Sequence, residues 1–419
     1  MEMFERLEAR LNAAQPTIAK RHGRYRGQVQ RLYAADEITG DLKHLTVNLC
    51  RVAVDAVAER LRVRGVRATA RGRDVSELAE GIWQSVDADQ WLQSLAVDVL
   101  ALGTAYVSVW SRGGVPTITP ESATQVVTEN DPLTGEPVAA LKMWSATGPA
   151  GNIEADNATL YTRDAVHLYT RLAGHNWQVM ETRPHALGCV PVIPVINKTY
   201  LGDTRGTSVL DDMGPLVDAL SKIMIDMLTA SEDVARPRRW ATGVDLEERG
   251  DDGFTADGPD LEDDRPEVVS PFEAGNRMFT VESPEAKFGQ LPGADLAGYR
   301  TAVDLLVSQI MAISGLPAHM VGITTSNPSS ADAIRAAEAG LTARAEGRIK
   351  VIGRALESVM KIAISVATSV PHDEIHVKFD WASPATRSTA QEADAITKLH
   401  TLGIVSTEEA RAQIGVGTL

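Results

Sequence analysis

Aromatic side chains make up only 5% of the 419 residues, which argues against a surface built from base-stacking platforms. Cysteine is almost missing. Cys50 and Cys189 form neither a metal-ligand spacing nor a disulfide framework, and they read as small buried apolar groups of a protein kept in a reducing interior. No uncharged apolar run reaches the roughly 18 residues of a membrane-spanning helix. The nearest approach, Leu95 to Trp110, is broken by Asp98 and reads as a buried helix followed by a strand. The start, MEMFERLEARLNAAQ, lacks the apolar core of a signal peptide, so neither export by that route nor membrane contact is expected. A Gly-Lys dipeptide is absent, and with it the phosphate-cradling P-loop; HExxH, CxxC and GxSxG are absent too. The histidines are scattered, and His167, His319 and His376 read as packed or surface groups rather than catalysts. The expectation is a protein that is not an enzyme and holds no cofactor.

What is present is a normal folded composition, 44% hydrophobic and 23% charged, in a chain long enough for two or three domains. The net charge is -15 and is unevenly spread. Residues 244–285 hold fourteen Asp or Glu against Arg249, Arg265 and Arg277, a local net of -11. Tight binding to DNA comes largely from cations that neutralise phosphates, so it is not expected here. Asp251, Asp252, Asp257 and Asp260 offer hard oxygen ligands, but their spacing does not match an EF-hand; Asp263 and Asp264 extend the acidic run beyond them. The plainer reading is a solvated loop, and the functional one a docking surface for basic partners.

Periodicity predicts helices over residues 1–30, 45–61, 74–86 and 89–102, the last stopped by Gly103. Arg62 to Gly65 reads as a basic strand-like turn. An alternating strand, Thr104 to Trp110, is followed by short strand signals as far as Thr182, giving an α+β first half. Pro191 to Ile196 reads as a rigid apolar segment. Helices over 208–234 and 295–313 flank the acidic segment, which predicts an antiparallel pair with the insertion at its tip. A compact basic knot, Arg236 to Trp240, closes the first of them.

The most informative run is Ser314 to Lys350, SGLPAHMVGITTSNPSSADAIRAAEAGLTARAEGRIK. Ser314-Gly315 closes a helix and Leu316-Pro317 prevents its continuation. Asn327-Pro328 is a turn signal, and Ser329 with Asp332 reads as a capping box. From Ala331 to Val370 the chain is rich in Ala, Arg and Glu with no proline, a rod of roughly 57 Å. Ile334, Leu341, Ala345, Ile352, Leu356, Val359, Ala363 and Val366 form its apolar stripe. Gly340, Gly347 and Gly353 each cost about 1 kcal/mol inside a helix and so predict a bend or a close neighbour. Arg335, Arg344, Arg348, Lys350 and Arg354 give the rod a basic bias beside the acidic segment that suits head-to-tail packing of identical subunits, a solvated face being the alternative. A strand over 375–380 and short helices over 388–402 and 406–414 complete the chain.

On this 314–350 block, with Leu102-Gly-Thr-Ala-Tyr-Val107 after a helix containing Trp91, the late strand and Ser406-Thr-Glu-Glu409, the chain resembles the portal proteins of tailed double-stranded DNA bacteriophages, of the type common in phages with long non-contractile tails. The resemblance implies an α+β, mainly helical portal fold: a wing over 1–205, a first stem helix over 206–240, an acidic clip over 241–285 and a second stem helix over 286–314. It further implies a tunnel loop over 315–330, a long wing helix over 331–370, a wing strand over 371–383 and a small crown over 384–419. Thr324, Thr325, Ser326 and Asn327 would face the DNA channel, the six aspartates above would form the clip docking surface, and Arg236, Arg238, Arg239, Arg335, Arg344 and Arg348 would serve subunit contacts. The family implies a ring, usually of twelve copies, at one capsid vertex of the virion, made in the cytoplasm of the bacterial host. Its partners would be the terminase large subunit, a head-tail adaptor, major capsid and scaffolding proteins and, transiently, double-stranded DNA. Rival readings are a minor capsid protein and a metal-dependent hydrolase using the acidic 245–264 segment.

Overall fold

The computed structural model describes residues 2–28, 45–147, 153–172, 174–235, 239–242, 285, 287–290, 296–323, 330–386, 389–407 and 410. Helix α1 (Glu2–Tyr25) buries Phe4, Leu7, Leu11 and Ile18, the spacing read from the sequence. Helix α2 (Leu49–Ala58) starts at Asn48, whose side chain accepts from the Arg51 amide at 3.0 Å. Strands β1 (Val63–Ala70) and β2 (Arg73–Asp74) precede α3 (Ser76–Ser85) and α4 (Ala88–Leu102). Gly103 ends α4 at φ +87, a left-handed cap that glycine adopts without steric cost.

Strands β3 (Thr104–Arg112), β4 (Val115–Ser122), β5 (Val126–Asn130), β6 (Pro137–Thr147), β7 (Ile153–Tyr161), β8 (Ala165–Leu172), β9 (Gln178–Pro184) and β10 (Val192–Ile196) come next. One antiparallel sheet runs β5 to β9 in chain order, and a second has the order β10-β3-β4. Helix α1 lies on the first sheet, with the Phe4 ring 4.5 Å from that of Tyr169 and 5.3 Å from that of Trp177. The segment 191–196 is thus a strand, not only a stiff connector, and it pairs with β3 from Val192 opposite Ser108 to Ile196 opposite Thr104.

The second half contains α5 (Leu210–Ala235), β11 (Arg239–Thr242), β12 (Lys287–Gln290), α6 (Ala297–Ser314), a 3-10 turn (Ala318–Val321), α7 (Ala331–Thr368), β13 (Ile375–Trp381) and α8 (Thr389–Thr401). Helices α5 and α6 pack together, and β11 pairs antiparallel with β12 at the end where one helix leaves and the other returns. This is the expected pair, with the two strands at the base of the acidic segment. Part of the basic knot is therefore strand: Arg239 stands opposite Gln290, and Trp240 covers Gly289, where a Cβ would come within 2.4 Å of the indole.

Two arginines of α1 hold the start of α5. Arg21 makes a bidentate contact with Asp211 at 3.0 and 2.6 Å and also donates to the Leu102 carbonyl at 2.6 Å. Arg24 reaches Asp218 at 3.1 Å, and both side chains are nearly buried. Gly214 makes room for the guanidinium, since a Cβ there would lie 2.3 Å from it. Removing one member of such a pair strands a buried charge at a cost of about 3–5 kcal/mol.

The strand-like turn read at 62–65 leads into β1, an eight-residue strand longer than that reading, which begins at Val63 and pairs antiparallel with β13, from Val63 opposite Trp381 to Ala70 opposite Ile375. Val66, Ala68 and Ala70 face inward in alternation, but small alanines and Gly65 make a weak strand signal. The core joins Val54, Leu61, Leu92 and Val99 to Ile310 and to Leu341, Ile352, Leu356 and Val359 of α7.

Candidate functional site

The site is the junction where α6 ends and α7 begins. Gly315 terminates α6 at φ +73 with its amide bonded to the Met311 carbonyl at 2.8 Å. Leu316 is buried in the core and Pro317 is extended. The stop read from Gly315 and Pro317 is therefore present as expected. The segment after Pro317 is more ordered than a plain loop. The Met320 amide donates to the Pro317 carbonyl and the Ile323 amide to the Ala318 carbonyl, both at 3.0 Å.

Helix α7 starts at Ala331, as the run read from the sequence does, but its cap lies one residue after the Ser329 of the capping-box reading. Its cap is Ser330, whose hydroxyl accepts from the Ala333 amide at 3.2 Å, whereas Ser329 lies outside the described residues. The helix then runs unbroken for 38 residues, and Ser369 closes it in a left-handed conformation. The apolar stripe is buried from Leu341 to Ala363, but Ile334 is exposed and Val366 is half-buried. The glycines divide. A Cβ on Gly353 would sit 3.2 Å from Trp381 Nε1, so here the close neighbour is intramolecular. Gly340 and Gly347 face open space in the single chain.

Glu338 occupies a position of the same stripe, three residues before Leu341. It is 5% exposed, and its two oxygens have different partners. Oε2 accepts from Arg60 Nη2 at 3.0 Å and from the Thr386 hydroxyl. Oε1 lies 3.3 Å from His319 Nε2. Arg60 also donates to the Pro384 carbonyl at 2.8 Å. Burial raises the Glu338 carboxyl, but hydrogen bonds from Thr386 and Arg60 and the charge of Arg60 outweigh it and leave it below its ordinary value. His319 is thus not the isolated loop histidine read from the sequence. Glu338, Arg60 and Thr386 were missed altogether, although a glutamate inside an apolar stripe is a legible anomaly.

Of the named candidate residues, Thr324, Thr325, Ser326, Asn327, Asp251, Asp252, Asp257, Asp260, Asp263, Asp264, Arg236 and Arg238 lie outside the described residues, and Arg239 is placed only by its backbone in β11. Arg335, Arg344 and Arg348 are all on α7. Arg344 covers Gly315, its Nε 2.8 Å from where a Cβ would stand, and so lies over the end of α6, where exposed carbonyls favour a cation. Arg348, one turn on, is half-buried in the stripe; burial and the charge of Arg344 push its guanidinium down from its ordinary value. Among the described residues, no group of three or more His, Cys, Asp or Glu side chains is placed to hold a metal ion, and no helix is long and apolar enough to cross a membrane.

Comparison with known proteins places this junction in a family. The chain is 32% identical over 389 residues to the portal proteins of Mycobacterium phages D29 and L5, an alignment covering 87% of this chain and 75% of each relative. Among solved structures, the neck of an empty gene transfer agent particle is similar with a TM-score of 0.46 and 15% identity, covering 89% of this chain and 90% of that one. The neck of the native particle gives 0.45 and 14%, with 90% and 92% covered. The family described as phage portal protein, SPP1 Gp6-like, matches residues 6–416, so the packed pair α5 and α6, the junction and the long helix α7 all fall within the match, and the chain belongs to that family.

Proposed function

We propose that copies of this chain assemble into a ring, twelve in number as the family resemblance implies, at one vertex of a phage capsid. Double-stranded DNA is driven through the ring by a separate terminase motor and later leaves by the same path. The observation that carries this reading is the family match along residues 6–416. Within it, residues 1–205 and the 331–383 region act as the wing, α5 and α6 as the stem, 241–285 as the clip, 315–330 as the tunnel loop and 384–419 as the crown.

The packed pair α5 and α6, joined through β11 and β12 at one end, supports the stem and clip assignment. The 38-residue α7 directly after the junction supports the assignment of the long wing helix. The chain's negative charge supports a conduit along which DNA slides, because a basic wall would hold phosphates in a salt-dependent grip. The acidic clip, with Asp251, Asp252, Asp257, Asp260, Asp263 and Asp264, then docks basic surfaces of the terminase large subunit or the head-tail adaptor, while the wing meets capsid and scaffolding proteins. Arg236, Arg238, Arg239, Arg335, Arg344 and Arg348 serve contacts between copies.

The test has two parts. Electron microscopy and mass measurement of the purified protein are expected to give a ring with an axial hole, and a monomer at assembly concentrations would refute the reading. Deleting Thr324–Asn327 is expected to leave ring assembly intact and to impair packaging. Normal packaging by that deletion would remove the tunnel-loop assignment.

A further inference from the structure

We propose that Glu338 is a positioning residue that holds the channel loop by both of its shoulders and ties it to the wing and to the start of the 384–419 segment. The proposal rests on the tunnel-loop reading of 315–330 and adds to it what holds the two segments flanking residues 324–329.

The carboxylate stands where three stretches distant in sequence converge. His319 lies on the segment entering the loop, and Glu338 itself lies on the second turn of the helix leaving it. Arg60 comes from just beyond α2, and Thr386 from just beyond β13. One oxygen serves the wing side and the other serves the loop side, so each side's hold on the group is separable by mutation. A buried carboxylate in an apolar stripe is costly unless its charge is paired and hydrogen-bonded. Here that cost is offset by Arg60, Thr386 and His319 together, which means the three segments are held to one another through this single group.

The neighbouring contacts do not replace it. Leu316 and Arg344 fix the end of α6, and Ser330 fixes the start of α7, but neither set joins the two shoulders to Arg60 and Thr386. Without Glu338 the turn at 318–323 keeps its own backbone bonds and loses its tether. In a channel, a loop pushed by passing DNA would move Glu338 and through it the 384–386 segment, which gives the crown side a mechanical link to the loop.

The experiment is hydrogen exchange on the purified full chain, comparing wild type, Glu338→Gln, His319→Ala and His319→Gln. A polar contact to an ionised carboxylate is strong enough to change local opening by about tenfold. The Met320 and Ile323 amides are expected to exchange about tenfold faster in Glu338→Gln and His319→Ala, with β6 and β7 unchanged. His319→Gln, which keeps a donor at the same reach, is expected to restore protection. Unchanged exchange at 320 and 323 in His319→Ala, or equal acceleration everywhere without rescue by His319→Gln, would overturn the clamp. Because His319 is 42% exposed at its side chain, its variants remain informative even where Glu338→Gln folds poorly. A packaging assay on the same variants separates the two claims: lost loop protection with full packaging would refute the channel role of the loop and leave the clamp standing.

Discussion

At the scale of single residues, Glu338 within the stripe of α7 and Arg344 over the end of α6 are the charged groups that organise the junction. Glu338 is held below its ordinary value of 4.5 despite burial, which raises it, because Thr386 and Arg60 bond its ionised form. A carboxyl lowered on folding binds fewer protons in the native state than in the unfolded one. Its contribution is therefore complete above the unfolded value and is lost as pH falls through the folded one. The stability advantage of wild type over Glu338→Gln is expected to be constant from neutral pH down to about pH 5 and to shrink below that, as read from urea midpoints across the range. An advantage that persists undiminished at pH 3 would mean the carboxylate is not the form that matters. The arginine pair behaves differently. Arg344 and Arg348 are like charges one turn apart, a mildly destabilising spacing that the end of α6 compensates at Arg344.

At the scale of elements, the glycines of α7 separate what the chain does alone from what it does with neighbours. Gly353 lies under Trp381, so its close approach is already filled. Gly340 and Gly347 face open space, and alanine there is expected to raise the stability of the unassembled chain by about 0.5–1 kcal/mol each, since glycine is the poorer helix former. If the open face is where the next copy comes close, the double variant Gly340→Ala and Gly347→Ala will unfold at higher urea yet form fewer rings by mass measurement. Rings in undiminished yield would show that these glycines mark no subunit contact. Gly353→Ala is expected to gain less or to lose, because the indole must yield. The legibility of these elements depends on how local their causes are. Gly103, Gly315, Pro317 and the uninterrupted run after Ala331 state their own structure, and the structure agrees with them closely. Strand β1 does not, because its partner β13 lies at the other end of the chain and its inward residues are mostly alanines. Arg60 and Thr386 were invisible for the same reason, since nothing near them in sequence hints at Glu338.

At the scale of the whole molecule, charge is the property that distinguishes a conduit from a binder. Each chain carries -15, so the proposed ring, whatever its number, would present a strongly acidic body, and the most acidic stretch lies in sequence between α5 and α6. Proteins that grip duplex DNA release counterions, and log affinity falls with log salt at a slope of about -0.9 per neutralised phosphate. A basic wall touching six phosphates would give a slope of about -5. A sliding path has no use for that grip, because every step of transport would have to break it. The assembled protein is therefore expected to retain linear duplex DNA weakly, with a slope shallower than about -2 between 50 and 200 mM salt in a filter or fluorescence assay. A slope of about -5 with submicromolar affinity would mean that basic side chains such as Arg344 and Arg348 line a gripping surface, and the conduit reading would then have to explain how DNA escapes it. Alanine at those two positions discriminates further. If they serve contacts between copies, the double variant lowers ring yield and leaves the salt slope unchanged; if they touch phosphate, the slope flattens by about two units while the rings persist.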